Sequence, residues 1–256
     1  MGRGFVGDAL YRSFKSRGVD LKSYDKFKKI GKVEDVFDTD ILFLCLPTPF
    51  FEHNGFDKSA ILSVCEILHK NNYNGLVVIK STVEPGTTRQ LGERFLLNMA
   101  HNPEFLTART NYEDFDNQEH IMLGKVYDSN LFDKLIVFYS NLYRNAKVSV
   151  CSSSESESAK LFLNSFYAAK VQFFNELYQL CNNIDVDFDR VRDLMLLNGW
   201  IGKPHTSVPG PDGQTSYGGE CFPKDTSALE LFMEKNDTMH DVLSAVISER
   251  NRQRGG

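Results

Sequence analysis

An α/β domain followed by an all-helical one is the fold class this sequence predicts, on three observations. Short apolar runs alternate with amphipathic stretches over residues 1–150. A glycine-rich hexapeptide, "GRGFVG", opens the chain ahead of a helix-length segment. From residue 152 to 184 the strand signals stop and helical periodicity takes over, after a cap-forming run of serines and acidic residues. The predicted domains are therefore 1–150, dinucleotide-binding, and 151–256, helical.

The strand candidates are "ILFLCLP" (41–47), "GLVVIKST" (75–82), "FLLNMAHNP" (95–103), "EHIMLG" (119–124) and "AKVSVCSS" (146–153). Between them lie helix-length stretches such as 57–71, with apolar residues three and four apart. Strands separated by helices indicate a mostly parallel sheet with helices on both faces. The second domain continues with helix through "VDFDRVRDLMLLN", a Gly/Pro-rich loop over 199–219, and the amphipathic end of the chain.

The opening hexapeptide places Gly2, Gly4 and Gly7 in G-x-G-x-x-G spacing, with Phe5 and Val6 beginning the helix. In a Rossmann-like dinucleotide-binding domain such glycines make the turn, clear room for a pyrophosphate and let the helix pack closely. The helix N-terminus supplies N–H groups to the phosphates. "VDLKSYD" (19–25) is expected as the next strand, ending in Asp25. A carboxylate there accepts from ribose hydroxyls and repels a 2'-phosphate, which selects NAD over NADP; Lys26 beside it works against that choice. Only Met1 precedes the loop, so the first strand is expected to be missing or truncated.

"GGECFPKD" (218–225) sets Cys221 among flexible backbone and charge rather than apolar neighbours, as a reactive thiol would be. The other cysteines, Cys45, Cys65, Cys151 and Cys181, stand in apolar or helical settings. Five scattered cysteines without paired spacing predict no disulfide framework and no metal site, and a reducing, cytoplasmic setting. With 41% hydrophobic and 25% charged residues and a formal net charge of -5, the chain reads as soluble and globular, with no general drive toward nucleic acid. No apolar run reaches the roughly 20 residues of a membrane helix, and the first residues lack a secretory signal.

Taken with the glycine loop, the segments "LCLPTPF", "STVEPGTT", "HNPEFL", "SESAKLFLNSFYAAKVQFFNEL" and "VPGPDGQTSYGGECFPKD" follow one another as they do in the UDP-sugar 6-dehydrogenase family, which the chain resembles over nearly its whole length. The resemblance implies NAD as cofactor and oxidation of UDP-glucose to UDP-glucuronate by two hydride transfers. It implies cofactor contacts from the glycine loop, Asp25, Thr48, Thr82 and Lys224. Glu104, Phe105, Leu106, Lys160, Asn164, Tyr217 and Gly218 are implied at the sugar nucleotide. Cys221 is implied as the nucleophile, with Lys160, Asn164, Asp225, Thr82 and Glu104 around the chemistry. A thiolate can hold the intermediate aldehyde as a thiohemiacetal and then a thioester. Lys160 and Asn164 are four apart and share a helix face, where their donors suit an oxyanion. Without the resemblance, a lysine on a helix is by default a solvated one. Helix 157–180 is implied as the spine of a homodimer.

Two departures carry expectations of their own. Where the family usually has a second glutamate four residues after the first, this sequence has Ala108, which puts the hydrolytic half-reaction in doubt. The family's third, UDP-binding domain is also expected to be missing. A catalytically impaired sugar-nucleotide-binding relative, and a UDP-N-acetylmannosamine dehydrogenase, stand as alternatives. His205 is either a loop histidine near a substrate phosphate or a surface one.

Overall fold

The computed structural model describes residues 1–107 and 109–255, so Ala108 lies outside the described residues. In chain order the elements are α1 (Phe5–Ser16), β1 (Ile41–Leu44), β2 (Phe50–Phe51), β3 (Gly55–Phe56), α2 (Ser59–Lys70), β4 (Leu76–Ile79), α3 (Thr87–Phe95), β5 (Asn98–His101), α4 (Asn111–Asp116), β6 (His120–Lys125) and α5 (Asn130–Leu142). Then follow β7 (Lys147–Ser152), α6 (Ser153–Asn183), α7 (Phe188–Leu196), α8 (Phe222–Lys235) and α9 (Asp241–Arg254). The chain divides into two compact units, Met1–Pro49 with Phe56–Lys160, and Phe50–Gly55 with Leu161–Gly256. The division falls inside α6, about ten residues beyond the change of pattern in the sequence.

The first unit is an α/β sandwich. Its sheet runs β1-β4-β5-β6-β7, parallel throughout except for the antiparallel β5–β6 pair. Helical crossovers impose the parallel pairings, since a parallel neighbour cannot be reached by a tight turn. Because helices cover both faces, β4 reads as an unbroken apolar run, and all of Leu76–Ile79 is buried. Val77 and Ile79 face α2 and α3, packing with Ile61, Cys65, Leu68 and Leu91. Leu76 and Val78 face the opposite core, built on Phe14 of α1 and Leu135 and Tyr139 of α5. Phe14 is fully buried among five aromatic rings. Truncating it to Ala would cost about 3–5 kcal/mol.

The expected strand over 19–25 does not form; only an isolated bridge joins Asp25 to Ile30. Strand geometry needs a neighbouring backbone, and residues 19–24 face a cavity of about 420 Å³ that separates them from β1. Met1 makes one rung across this gap. Its amine donates to the Phe43 carbonyl, its own carbonyl accepts from the Cys45 amide at 2.8 Å, and the Gly2 amide donates to Tyr24 at 2.9 Å.

The second unit is helical apart from the short β2 and Gly55 of β3. Phe174 and Cys181 of α6 pack with Phe188 of α7 and with Val208. The long loop between α7 and α8 has little core of its own and is pinned by side chains instead. Lys170 donates to the carbonyls of Gly202 and Pro204, and the Ser216 amide donates to Asn175 at 2.7 Å. Arg254 of α9 reaches the carbonyls of Thr215 and Ser216 and the carboxylate of Asp212, each within 2.8 Å. Along α6, Phe162, Phe166, Phe173 and Leu180 are about half exposed, at spacings that put them on one face. Among the described residues no helix is long and apolar enough to cross a membrane.

Candidate functional site

Each unit gathers part of the predicted constellation. In the first, the glycine loop takes the form its spacing demands. Gly2 has φ +84°, and a Cβ there would stand 2.2 Å from the Cys45 carbonyl oxygen. A Cβ on Gly7 would lie 1.9 Å from the Gly2 carbonyl, so these two glycines close the turn against the sheet and α1. Gly4 is different: it caps α1, and its missing side chain faces open space with no atom within 4 Å. No side chain caps α1, which leaves the first-turn N–H groups at Phe5, Val6 and Gly7 available to an anion.

Asp25 sits beside this loop. Its carboxylate accepts from the amides of Arg3 at 2.7 Å, Phe27 at 2.9 Å and Lys28 at 2.8 Å. Burial pushes the carboxyl up, but those three N–H groups and the Lys28 ammonium outweigh it and hold Asp25 below the ordinary carboxylate range. The open notch at Gly4, the uncapped helix and this anchored carboxylate fit the pyrophosphate and ribose of NAD. The Arg3 side chain lies over the Tyr11 ring and pairs with Asp8 at 2.7 Å.

At the strand ends, the Thr48 hydroxyl donates to the Thr82 carbonyl at 2.8 Å, and the Ser81 hydroxyl to Leu46 at 2.6 Å. These bonds join the turns after β1 and β4. The loop after β5 carries Glu104, whose Oε1 accepts from Lys160 Nζ at 3.2 Å and Oε2 from the Leu106 amide at 2.6 Å. The Lys160 ammonium lies 5.2 Å from the centre of the Phe105 ring. Both charged side chains are nearly buried, at 5% and 10% exposure. Lys160 is therefore no solvated lysine, and Glu104, Phe105 and Leu106 all gather at its ammonium or its partner.

In the second unit, Asn164 donates to Asp225 Oδ2 at 2.6 Å and Lys224 Nζ to Oδ1 at 2.5 Å. Asp225 is fully buried in the first turn of α8, and Cys221 is the exposed N-cap of that helix. Asp225 orients Asn164, and Glu104 is the carboxylate on Lys160. Tyr217 is 2% exposed, packed inside the unit rather than displayed on the loop. Gly218 makes room for Arg254, whose guanidinium would meet a Cβ there at 2.2 Å. The ring of His205 packs against Tyr167 and Phe222, centroids 4.5 and 5.4 Å away. Burial, then the Lys170 charge, pushes its imidazole below the ordinary value. Among the described residues no cluster of His, Cys, Asp and Glu could hold a metal ion.

Sequence reasoning missed several residues that build these sites. Glu157, fully buried, accepts from the amides of Gly86 and Thr88 and so caps α3 from α6. Lys80 and Asn102 form a buried network at the base of the Glu104 loop. Only Lys80 left a signal, an ammonium set directly after a four-residue apolar strand.

Comparisons with known proteins match two successive family domains to the chain. Residues 25–147 match the NAD binding domain of the UDP-glucose/GDP-mannose dehydrogenase family, and residues 154–252 its central domain. UDP-glucose 6-dehydrogenase AglM of Haloferax volcanii is 32% identical over 231 residues, covering 82% of this chain and 52% of that protein. UDP-glucose 6-dehydrogenase of Pseudomonas aeruginosa is 31% identical over 234 residues, covering 86% and 50%. The chain thus spans about half the length of the curated relatives it matches. A UDP-glucose dehydrogenase structure from Pyrobaculum islandicum superposes with TM-score 0.78 at 27% identity, covering 96% of this chain and 56% of that one. A 3-hydroxyisobutyrate dehydrogenase of Mycobacterium tuberculosis shares the fold, with TM-score 0.74 at 14% identity over 98% of this chain and 91% of its own.

Proposed function

Since the chain belongs to the UDP-glucose/GDP-mannose dehydrogenase family, we propose that it carries out NAD-dependent oxidation at C6 of a UDP-sugar, UDP-glucose to UDP-glucuronate being the first reading. The observation that carries this is the second unit's arrangement of a thiol at the cap of α8 with a buried Asn164–Asp225–Lys224 network in its first turn. NAD, when bound, supplies the hydride acceptor. Cys221 then serves as nucleophile toward the aldehyde, since the N-terminal end of a helix favours negative charge. Asn164, its amide fixed by Asp225, donates to an oxyanion, and Lys160 supplies a positive charge for the alkoxide. Glu104 orients Lys160 and provides the carboxylate near the chemistry. Thr48 and Thr82 brace the cofactor side, and Asp25 favours NAD over NADP. Tyr217 and Gly218 support the loop rather than touching sugar.

A homodimer through α6 belongs to the same proposal, because the half-exposed row of Phe162, Phe166, Phe173 and Leu180 gains most when shared. UDP-N-acetylmannosamine is the alternative sugar. An impaired sugar-nucleotide-binding relative is the alternative function, favoured by Ala108 where the family has a carboxylate.

The test is intact-mass spectrometry with NADH absorbance after mixing the protein with NAD and UDP-glucose. We expect a burst of NADH and an acyl adduct on Cys221, because loss of a general base slows hydrolysis by ~100- to 10,000-fold. The adduct should vanish in Cys221→Ser and turn over faster in Ala108→Glu. Binding without any NADH supports the impaired reading.

A further inference from the structure

Lys80 stands at the end of β4 with its side chain 3% exposed, and its ammonium donates to both oxygens of one residue, the Asn102 carbonyl at 2.9 Å and Asn102 Oδ1 at 2.8 Å. Among the described residues no carboxylate lies within ion-pairing distance of it. A buried charge held by dipoles alone is costly, because desolvation is offset only by hydrogen bonds. Asn102 is tied in every other direction as well. Its backbone amide donates to Ile79, its side-chain Nδ2 to Met122, and the Tyr139 hydroxyl donates to its Oδ1, within 2.8 Å in each case. Two residues later the chain presents Glu104 to Lys160.

We propose that Lys80 is a positioning residue for the Glu104–Lys160 pair: it clamps Asn102, and so fixes the turn 102–106 and adds its charge to the field in which the pair sits. The proposal rests on the dehydrogenase reading for its purpose but not for its geometry. An apolar residue at 80 would leave the buried Asn102 carbonyl without the ammonium's bond and Oδ1 with Tyr139 alone, so packing alone does not explain the ammonium.

The groups acting on Lys80 come from each element around it. Burial pushes its ammonium down to about 8, while Cys45 beyond β1 and Glu104 in the turn pull it up and Lys160 on α6 pushes it down. His101 on β5 is held neutral down to about 3, Tyr139 on α5 is raised well above 10 by burial, and burial raises Cys45. The Met1 amine is lowered by burial, and it sits by Cys45 and Asp25 rather than by the turn.

The experiment is a pH titration of the isotope-labelled full chain by amide NMR, without NAD or sugar nucleotide, so it reads the same whether or not the enzyme is active. The reporter is the Leu106 amide, which donates to Glu104. We expect its signal to shift with a midpoint near pH 8 in the unaltered chain and to lose that inflection in Lys80→Met. In Lys80→Met the Glu104–Leu106 amides should also exchange more than ~10-fold faster, while β4 and β5 amides keep their protection. Glu104–Leu106 amides that exchange no faster in Lys80→Met than in the unaltered chain overturn the proposal. So does a Lys80→Met variant whose exchange rises equally across β4, β5 and the turn. If Lys80→Met does not fold, Lys80→Gln replaces it with the same criteria, and a turn whose Glu104–Leu106 amides exchange as freely as unprotected ones in the unaltered chain overturns the proposal by itself.

Discussion

Asn164 gives its side-chain amide to Asp225 at 2.6 Å, and through that single bond the middle of α6 is registered against the first turn of α8. Asp225 has no exposure to water, so its two oxygens rely on Asn164 and Lys224. Replacing it with Ala removes both bonds and leaves the Asn164 amide to rotate. Hydrogen bonds to a charged group contribute roughly 1.5–3 kcal/mol each. Asp225→Ala should lower unfolding stability by about that amount for each bond lost and abolish NADH formation. Asp225→Asn, which keeps the shape, should recover more stability than activity. Urea unfolding and NADH absorbance check the two effects separately, and equal recovery of both would contradict the orienting role.

The Glu104–Lys160 pair should show the asymmetry of buried ions. Lys160→Met strands a carboxylate that is 10% exposed, at a cost of about 3–5 kcal/mol. Adding Glu104→Leu to that variant should restore most of the loss, since no charge then remains buried. Denaturation midpoints of the two single variants and the double one give the coupling. Additive losses would mean the two side chains do not depend on each other.

His101 predicts an acid-labile first unit. Its Nε2 donates to the Ser81 carbonyl, and its Nδ1 lies 2.8 Å from the Ser156 hydroxyl, from which the neutral ring accepts. Burial lowers its protonation to about 3, against 6.5 for the ordinary imidazole. Between those values the unfolded chain binds a proton that the native one refuses. The contribution is therefore fully present above about pH 6.5 and is lost as pH falls toward 3, at up to about 1.4 kcal/mol per pH unit. His101→Gln should flatten that slope by one proton's worth. Unfolding midpoints in urea across the window would show it, and an unchanged slope would reject the assignment.

The α6 face predicts association. Phe166 is 60% exposed within the row of Phe162, Phe173 and Leu180, so Phe166→Asp places a charge at the centre of the proposed contact. Sedimentation at micromolar concentration should show dimer for the unaltered chain and monomer for the variant, with unchanged unfolding of each unit. Monomer in both cases removes the dimer.

The sheet was legible because local patterns encode it: four of its five strands fall inside an apolar run named from sequence, β6 runs one residue past its own, and α6 follows its serine-rich start. The glycine loop was legible for the same reason, its φ and close approaches being written into residue type. Pairings were not. That Lys160 meets Glu104 while Asp225 takes Asn164 depends on contacts 56 and 61 residues apart, which no spacing rule reaches. The strand over 19–25 failed for a related reason. Its residues have the composition of a strand, but a strand also needs a partner backbone, and composition carries no information about that.

Met1's rung between β1 and Tyr24 turns cofactor binding into a linked equilibrium. The glycine turn is fixed to the sheet where Met1 and Gly2 bond to Phe43, Cys45 and Tyr24, so a molecule in which that rung opens loses the anchor of its phosphate notch. Were a fraction of molecules open, the observed dissociation constant for NAD would be the intrinsic one divided by the closed fraction. Linkage works in both directions: a cofactor that selects the closed rung must also hold it closed, by the same factor. Saturating NAD should accordingly slow amide exchange at Cys45, whose amide donates to the Met1 carbonyl.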